Sequence, residues 1–190
     1  MYYALVGITW RNRAFYISHY QATCYDQNLQ KGDVCFFCLF VKTSISKKLI
    51  FHITVKKKDL EICAVALKTK SSILIIWSSY RVPMGNVNRY MKNLDDALKH
   101  MHKPDAEFLI CGDKTRDYLI ESNSKKQLVS LLTTYSLAHT INFATRIQNN
   151  SSTATHNIYV DKSRINLSSI STIINGLSDH DVQFLTIKNM

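Results

Sequence analysis

The residues able to do chemistry gather in three places. Phe108-Leu109-Ile110-Cys111-Gly112-Asp113 is an apolar run that stops at an acid, so the Asp113 carboxylate arrives at the end of a buried strand, within reach of solvent and substrate. Near the C-terminus, Ser178-Asp179-His180-Asp181 sets an imidazole among carboxylates, a pairing that raises a histidine pKa and fixes its tautomer. Tyr80-Arg81-Val82-Pro83 ends an earlier apolar run with a phenol, a guanidinium and a rigid turn, and a guanidinium there can contact phosphate oxygens. Taken singly, each has a plainer reading: a turn-forming Asp, a solvated loop, a strand terminus. Together they point to metal-assisted attack of water on a phosphate ester.

Such groups need a rigid frame, and the hydrophobic pattern supplies one. Met1 to Val6 reads as a strand, and Val34–Val41, Leu49–Val55, Leu60–Leu67 and Ser72–Ser79 read as successive strands rich in Ile, Val and Phe. The second of these five is apolar on both faces, which implies a sheet covered on each side. A helical stripe of Val87, Tyr90, Met91, Leu94, Leu98 and Met101 predicts a helix over 86–103, with Asn86 as N-cap and Pro104 as its stop. A second helix is expected over 125–135. Short strands are expected at 108–111, 140–143, 157–160, 170–174 and 182–187. Strands first paired as a meander, then mixed with helices, suggest an α/β (α+β) fold of two packed sheets with helices outside.

Composition sets the bounds. The chain has 190 residues, 46% of them hydrophobic, enough for one domain with a core spanning 1–190. With 5 Gly and 2 Pro, disordered and fibrous readings fail. Five cysteines, mostly inside apolar strand patterns, fit reduced thiols, and the Cys35–Cys38 spacing lacks the second Cys or His pair that zinc requires. The N-terminus lacks the basic start and cleavage site of a secretory signal, and the longest apolar run is too short to cross a bilayer. The expected location is therefore nuclear or cytoplasmic, with no membrane partner. The net charge is +10, and between Lys42 and Lys70 eight lysines face only Asp59 and Glu61. Such a balance suits a polyanion, because neutralising phosphates releases counterions; a solvated lysine-rich face is the plainer alternative.

The motifs and their order resemble the endonuclease domain of jockey-like non-LTR (LINE-type) retrotransposons. Tyr80-Arg81-x-Pro83, then Leu94-Asp95-Asp96-Ala97-Leu98, then Leu109-Ile110-Cys111-Gly112-Asp113 carry the likeness. So do Ala144-Thr145-Arg146-Ile147-Gln148-Asn149-Asn150, Asn157-Ile158-Tyr159-Val160 and Ile174-Asn175-Gly176-Leu177-Ser178-Asp179-His180-Asp181. The likeness runs from about residue 20 to the C-terminus, while residues 1–20 match poorly. It implies the DNase I-like four-layer sandwich of the endonuclease/exonuclease/phosphatase superfamily: two packed, mostly antiparallel sheets flanked by helices, lacking the first strand in this chain. It also implies Mg²⁺-dependent nicking of DNA to prime reverse transcription. On that resemblance Asp113 matches the acid that activates water, and Asp179 an acid beside the metal and phosphate. His180 matches the imidazole at the scissile phosphate, and Tyr80 a strand-end residue lining the site. Arg81 and Lys114 are the expected phosphate or nucleic-acid contacts.

The departures are as specific as the matches. Thr115 replaces an Asn whose amide orients the phosphate, and a hydroxyl lacks the amide's reach and its two donors. Lys114 replaces an apolar residue beneath the site. His156 stands where the family has the Asp that holds the catalytic histidine, and Val6-Gly7-Ile8-Thr9-Trp10-Arg11 offers no acid where the metal-binding Glu belongs. Asp179 is left as the principal candidate metal ligand. The resemblance thus implies a truncated, degenerate copy without Mg²⁺-dependent activity that keeps DNA, or RNA, as its partner. An active nuclease is the competing expectation, and a phosphatase of small phosphoesters a third.

Overall fold

The computed structural model describes residues 5–10, 13–22, 35–41, 49–57, 59–68, 73–82, 84–103, 105–114, 117–148, 151–174 and 181–187. Most are organised in two sheets. The first has the order β12-β13-β1-β2-β3, from β1 (Leu5–Trp10), β2 (Arg13–Ala22), β3 (Cys35–Val41), β12 (Ser168–Ile173) and β13 (Val182–Ile187). The second has the order β4-β5-β6-β7-β11-β8, from β4 (Leu49–Lys57), β5 (Leu60–Lys68), β6 (Ile73–Arg81), β7 (Ala106–Asp113), β8 (Leu137–His139) and β11 (His156–Asp161). A short hairpin joins β9 (Arg146–Gln148) to β10 (Ser151–Thr153). Among the described residues every pairing is antiparallel except β1 with β13 and β6 with β7.

Strand β6 shows why the layers stack. Its residues Leu74 to Ser79 are buried in unbroken succession, so both of its faces are covered. Helix α1 (Val87–Met101) makes the crossover from β6 to its parallel neighbour β7, and turns Tyr90, Leu94, Leu98 and Met101 into the core. Helix α2 (Asn123–Thr134) buries Leu128 and Leu132 beside it. On the other side β3 lies against β5 and β6, and Leu185 and Ile187 of β13 join the same core as Trp77 and Ile110.

Local chemistry sets the helix ends. The Asn86 side chain accepts from the Arg89 N–H at 3.0 Å, and Ser122 accepts from the Lys125 N–H at 3.2 Å. The Ser122 cap starts α2 two residues before the expected Lys125. A larger difference falls at 140–143, where a strand is expected and β8 lies instead at Leu137–His139. There the Asn157 amide donates to the Ile141 carbonyl at 3.0 Å and accepts from the Ile141 N–H at 3.3 Å. A side chain takes the backbone bonds that a strand neighbour would need. The expected meander also breaks between β3 and β4, which belong to different sheets.

Candidate functional site

The parallel pair β6/β7 brings two of the expected site residues to one edge of the six-stranded sheet. Cys111 is the register partner of Ser78, so two residues further on Tyr80 and Asp113 stand level. On the outer flanks Glu61 of β5 is the partner of Tyr80, and His156 of β11 is the partner of Asp113. The edge therefore reads Glu61, Tyr80, Asp113, His156 across four neighbouring strands. Burial pushes the Tyr80 phenol above its usual pKa, and the Asp113 and Glu61 carboxylates add to the rise. The phenol thus stays protonated and able to donate. His156 Nε2 lies 3.8 Å from Asp113 Oδ2, charge proximity without a hydrogen bond.

Gly112 lets β7 end this way. Its φ is +122°, a backbone conformation that suits glycine, and an added Cβ would stand 2.1 Å from the Ser79 carbonyl oxygen. The glycine before the acid is thus required by contact with β6, and the contact aims the chain into Asp113.

The two expected phosphate-binding cations are placed otherwise. Arg81 is buried, its Nη2 donates to the Gly85 carbonyl at 2.9 Å, and its guanidinium lies over the Tyr90 ring. Lys114 is fully buried; its Nζ donates to Ser79 Oγ, with the Ser79 and Cys111 carbonyl oxygens at 3.4 and 3.5 Å. Burial lowers its pKa to about 8. Both side chains turn inward because β6 and β7 are central strands, where an acceptor-rich interior meets them before solvent does. Neither placement brings a cation to a phosphodiester in solution. Next to Lys114, burial pushes the Cys111 thiol up to about 12, so it stays an uncharged thiol.

Thr115, Asp179 and His180 lie outside the described residues. The chain does enter β13 from this edge, since the Asp181 N–H donates to the Thr145 carbonyl at 2.9 Å and Thr145 pairs with Thr153 just before His156. On β13, Gln183 shares the inter-sheet face with Leu185 and Ile187; it is 1% exposed, and among the described residues nothing hydrogen-bonds its amide. Glu61 is the site-edge carboxylate that sequence reasoning passed over, and only its strand register with Tyr80 reveals it. Asp59 beside it is a structural anchor: its carboxylate binds the Arg89 guanidinium and accepts from the Asn86 N–H at 2.9 Å, tying β5 to the start of α1.

The donors that the described residues bring to this edge do not suit Mg²⁺, which wants oxygen ligands in an octahedron. Glu61 and Asp113 sit on alternate strands, roughly 10 Å apart at the backbone, with a phenol between them. On its other side Asp113 meets an imidazole. Among the described residues no three His, Cys, Asp or Glu side chains converge as a metal cluster, and no helix is long and apolar enough to cross a membrane.

No protein-family model matches the sequence, and no curated protein matches it. Solved structures do. The endonuclease domain of TRAS1, a telomere-specific non-LTR retrotransposon, is similar at 14% identity with a TM-score of 0.63, over 82% of this chain and 73% of that one. CdtB, the biologically active subunit of cytolethal distending toxin, is similar at 10% identity and 0.51, over 94% and 69%. An endonuclease/exonuclease/phosphatase family protein from Leptotrichia buccalis C-1013-b is similar at 13% and 0.50, over 73% and 60%. The fold is an α/β, DNase I-like fold, shared with these solved structures.

Proposed function

We propose that this chain is a retrotransposon-derived endonuclease-type domain that holds DNA, or RNA, through its basic surface and no longer carries out Mg²⁺-dependent phosphodiester hydrolysis. The fold supports the first half, since its solved neighbours include a retrotransposon endonuclease. The net charge of +10 supports the polyanion partner, and cysteines set inside apolar strand patterns, as reduced thiols, support a nuclear or cytoplasmic site of action.

One observation carries the second half: at the end of β7 the Asp113 carboxylate is met by the imidazole of His156 in register, and the next residue, Lys114, is a buried amine. Hydrolysis of this class concentrates negative ligand charge so that a divalent ion can activate water and neutralise phosphate. Here an imidazole in register, and a buried amine on the next residue, stand by the acid in place of further carboxylates. Thr115 in place of an orienting amide adds to the loss, since one missing preorganised donor costs about a hundredfold to a thousandfold in rate.

The test is relaxation of supercoiled plasmid with Mg²⁺. No relaxed circles above buffer are expected. Relaxed circles that vanish in Asp113→Ala or His180→Ala would overturn the inactive reading. Binding of duplex DNA should weaken linearly on a log–log plot as salt rises; affinity indifferent to salt removes the nucleic-acid half.

A further inference from the structure

Strand β12, at the end of the five-stranded sheet, has an open side. On one flank it pairs with β13 in register from Ser168↔Ile187 to Ile173↔Val182, and among the described residues no strand lies on the other flank. In an antiparallel pair every second residue turns its backbone N–H and C=O away from the partner, so β12 presents a half-used ladder. The strand is already held in shape. Its neighbour β13 is itself paired with β1, and where β12 begins Ser168 Oγ donates to the Arg164 carbonyl at 2.8 Å. Little ordering is left for a partner to impose.

The composition of the strand sets it apart. Sheet edges are ordinarily blunted by charge, proline or brevity. The six-stranded sheet does so at both edges: β4 closes with Lys56-Lys57, and β8 has 3 residues. Strand β12 is Ser-Ser-Ile-Ser-Thr-Ile, and from Ile165 to Ile174 the chain holds no Lys, Arg, His, Asp, Glu or Pro. At its end Ile173 and Ile174 are 51% and 85% exposed.

We propose that β12 is a self-pairing edge: two copies of this chain join β12 to β12, antiparallel about a two-fold axis, so that their five-stranded sheets run on as one. Charge selects this occupant. The chain carries +10, so copies that meet on lysine-bearing surface set cation against cation, and along β12 no such pair arises. A strip without charged side chains also has nothing with which to choose an acidic or basic partner, whereas an identical edge matches it in kind. With the axis at Ser171, Ser169 stands opposite Ile173 and Ile170 opposite Thr172, a small side chain or a hydroxyl beside a branched one. The contact is one strand deep, less than a permanent dimer buries, so a dissociation constant of roughly 10–100 µM is expected. The pairing does not depend on whether the site edge is active.

The experiment is sedimentation equilibrium of the full chain, stripped of nucleic acid, from about 5 to 300 µM and at about 0.15 and 0.5 M salt. A monomer–dimer equilibrium is expected at both salts, because backbone pairing is not screened. Ser171→Lys, at an exposed position on the axis, sets two ammonium groups against each other and is expected to weaken the dimer about tenfold or more. Mixing Ser171→Lys with Ser171→Asp chains is expected to restore it. A wild type that stays monomeric throughout overturns the proposal, as does a dimer lost at the higher salt. So does a dimer indifferent to Ser171→Lys, a mixture no more dimeric than its parts, or assembly that continues past two copies. If Ser171→Lys does not fold, amide hydrogen exchange of wild type at the two ends of the concentration range decides. Protection over 169–173 that rises with concentration supports the pairing, and unchanged protection overturns it.

Discussion

Strand β7 carries an acid at each end, and the two are handled in opposite ways. At its start Glu107 receives the Arg164 guanidinium through two bonds, Nη2 at 2.7 Å and Nε at 3.1 Å, which lock β7 to the 3-10 helix over Lys162–Leu167 that follows β11. At its finish Asp113 faces the His156 imidazole across 3.8 Å. Fork-to-carboxylate pairing satisfies both partners and fixes geometry. The 3.8 Å approach of Asp113 and His156 is too long for a hydrogen bond between those atoms and does not fix their mutual geometry. The same strand thus has a structural end and an end whose polar groups are arranged for something other than stability. The buried Gln183 amide has no hydrogen-bond partner among the described residues, and a polar group without compensation is expensive in such an interior.

The contrast can be broken most severely at Gly112. Gly112→Ala combines left-handed backbone with a Cβ driven into the Ser79 carbonyl, and is expected to cost about 4 kcal/mol or prevent folding, read by denaturant unfolding. A merely modest loss would mean that β6 and β7 can part at this end, and that the close approach does not aim Asp113.

Lys114 sharpens the contrast through pH. Its pKa is about 8 when folded against 10.5 ordinarily, so the unfolded chain holds the extra proton between those values. Stability from this group is therefore lowest below about pH 8 and rises up to pH 10.5, by at most about 3 kcal/mol. Cys111 works the other way. Its thiol, raised from 9.0 to about 12, contributes stability that is present below 9.0 and lost toward 12. The difference between wild type and Lys114→Met follows the amine together with its electrostatic effect on Cys111. Wild type should gain stability relative to Lys114→Met from pH 8 to pH 10.5, and a constant difference would show that the amine does not titrate there.

At the structural end, Arg164→Ala should cost about 2 kcal/mol, since it leaves a largely buried Glu107 without its fork. Asp113→Asn, at the other end, is expected to change stability by about 1 kcal/mol or less, because no short bond to His156 is lost. If thermal unfolding ranks these two substitutions in the reverse order, the division of β7 into a holding end and an open end is wrong.

Much of this was legible in residues that act locally. The Asn86 cap, the Tyr90–Leu94–Leu98–Met101 stripe and the apolar run ending at Gly112-Asp113 each declare a helix or strand over a few residues, and α1 and β7 follow them closely. The strand expected at 140–143 shows the limit, because a distant Asn157 amide claims the Ile141 backbone. Thr115, Asp179 and His180 were named from their motifs and lie outside the described residues.

By itself, then, the sequence determined which segments become strands and helices and where the acid at the end of β7 must fall, because caps, side-chain period and glycine's backbone freedom are properties of near neighbours. Tertiary structure decided that Glu61 joins Tyr80 and that His156 meets Asp113, since strand register depends on partners far along the chain. It also decided that Arg81 and Lys114 face inward: a cation's direction depends on whether its strand is central or peripheral, and that is settled only when the sheets assemble.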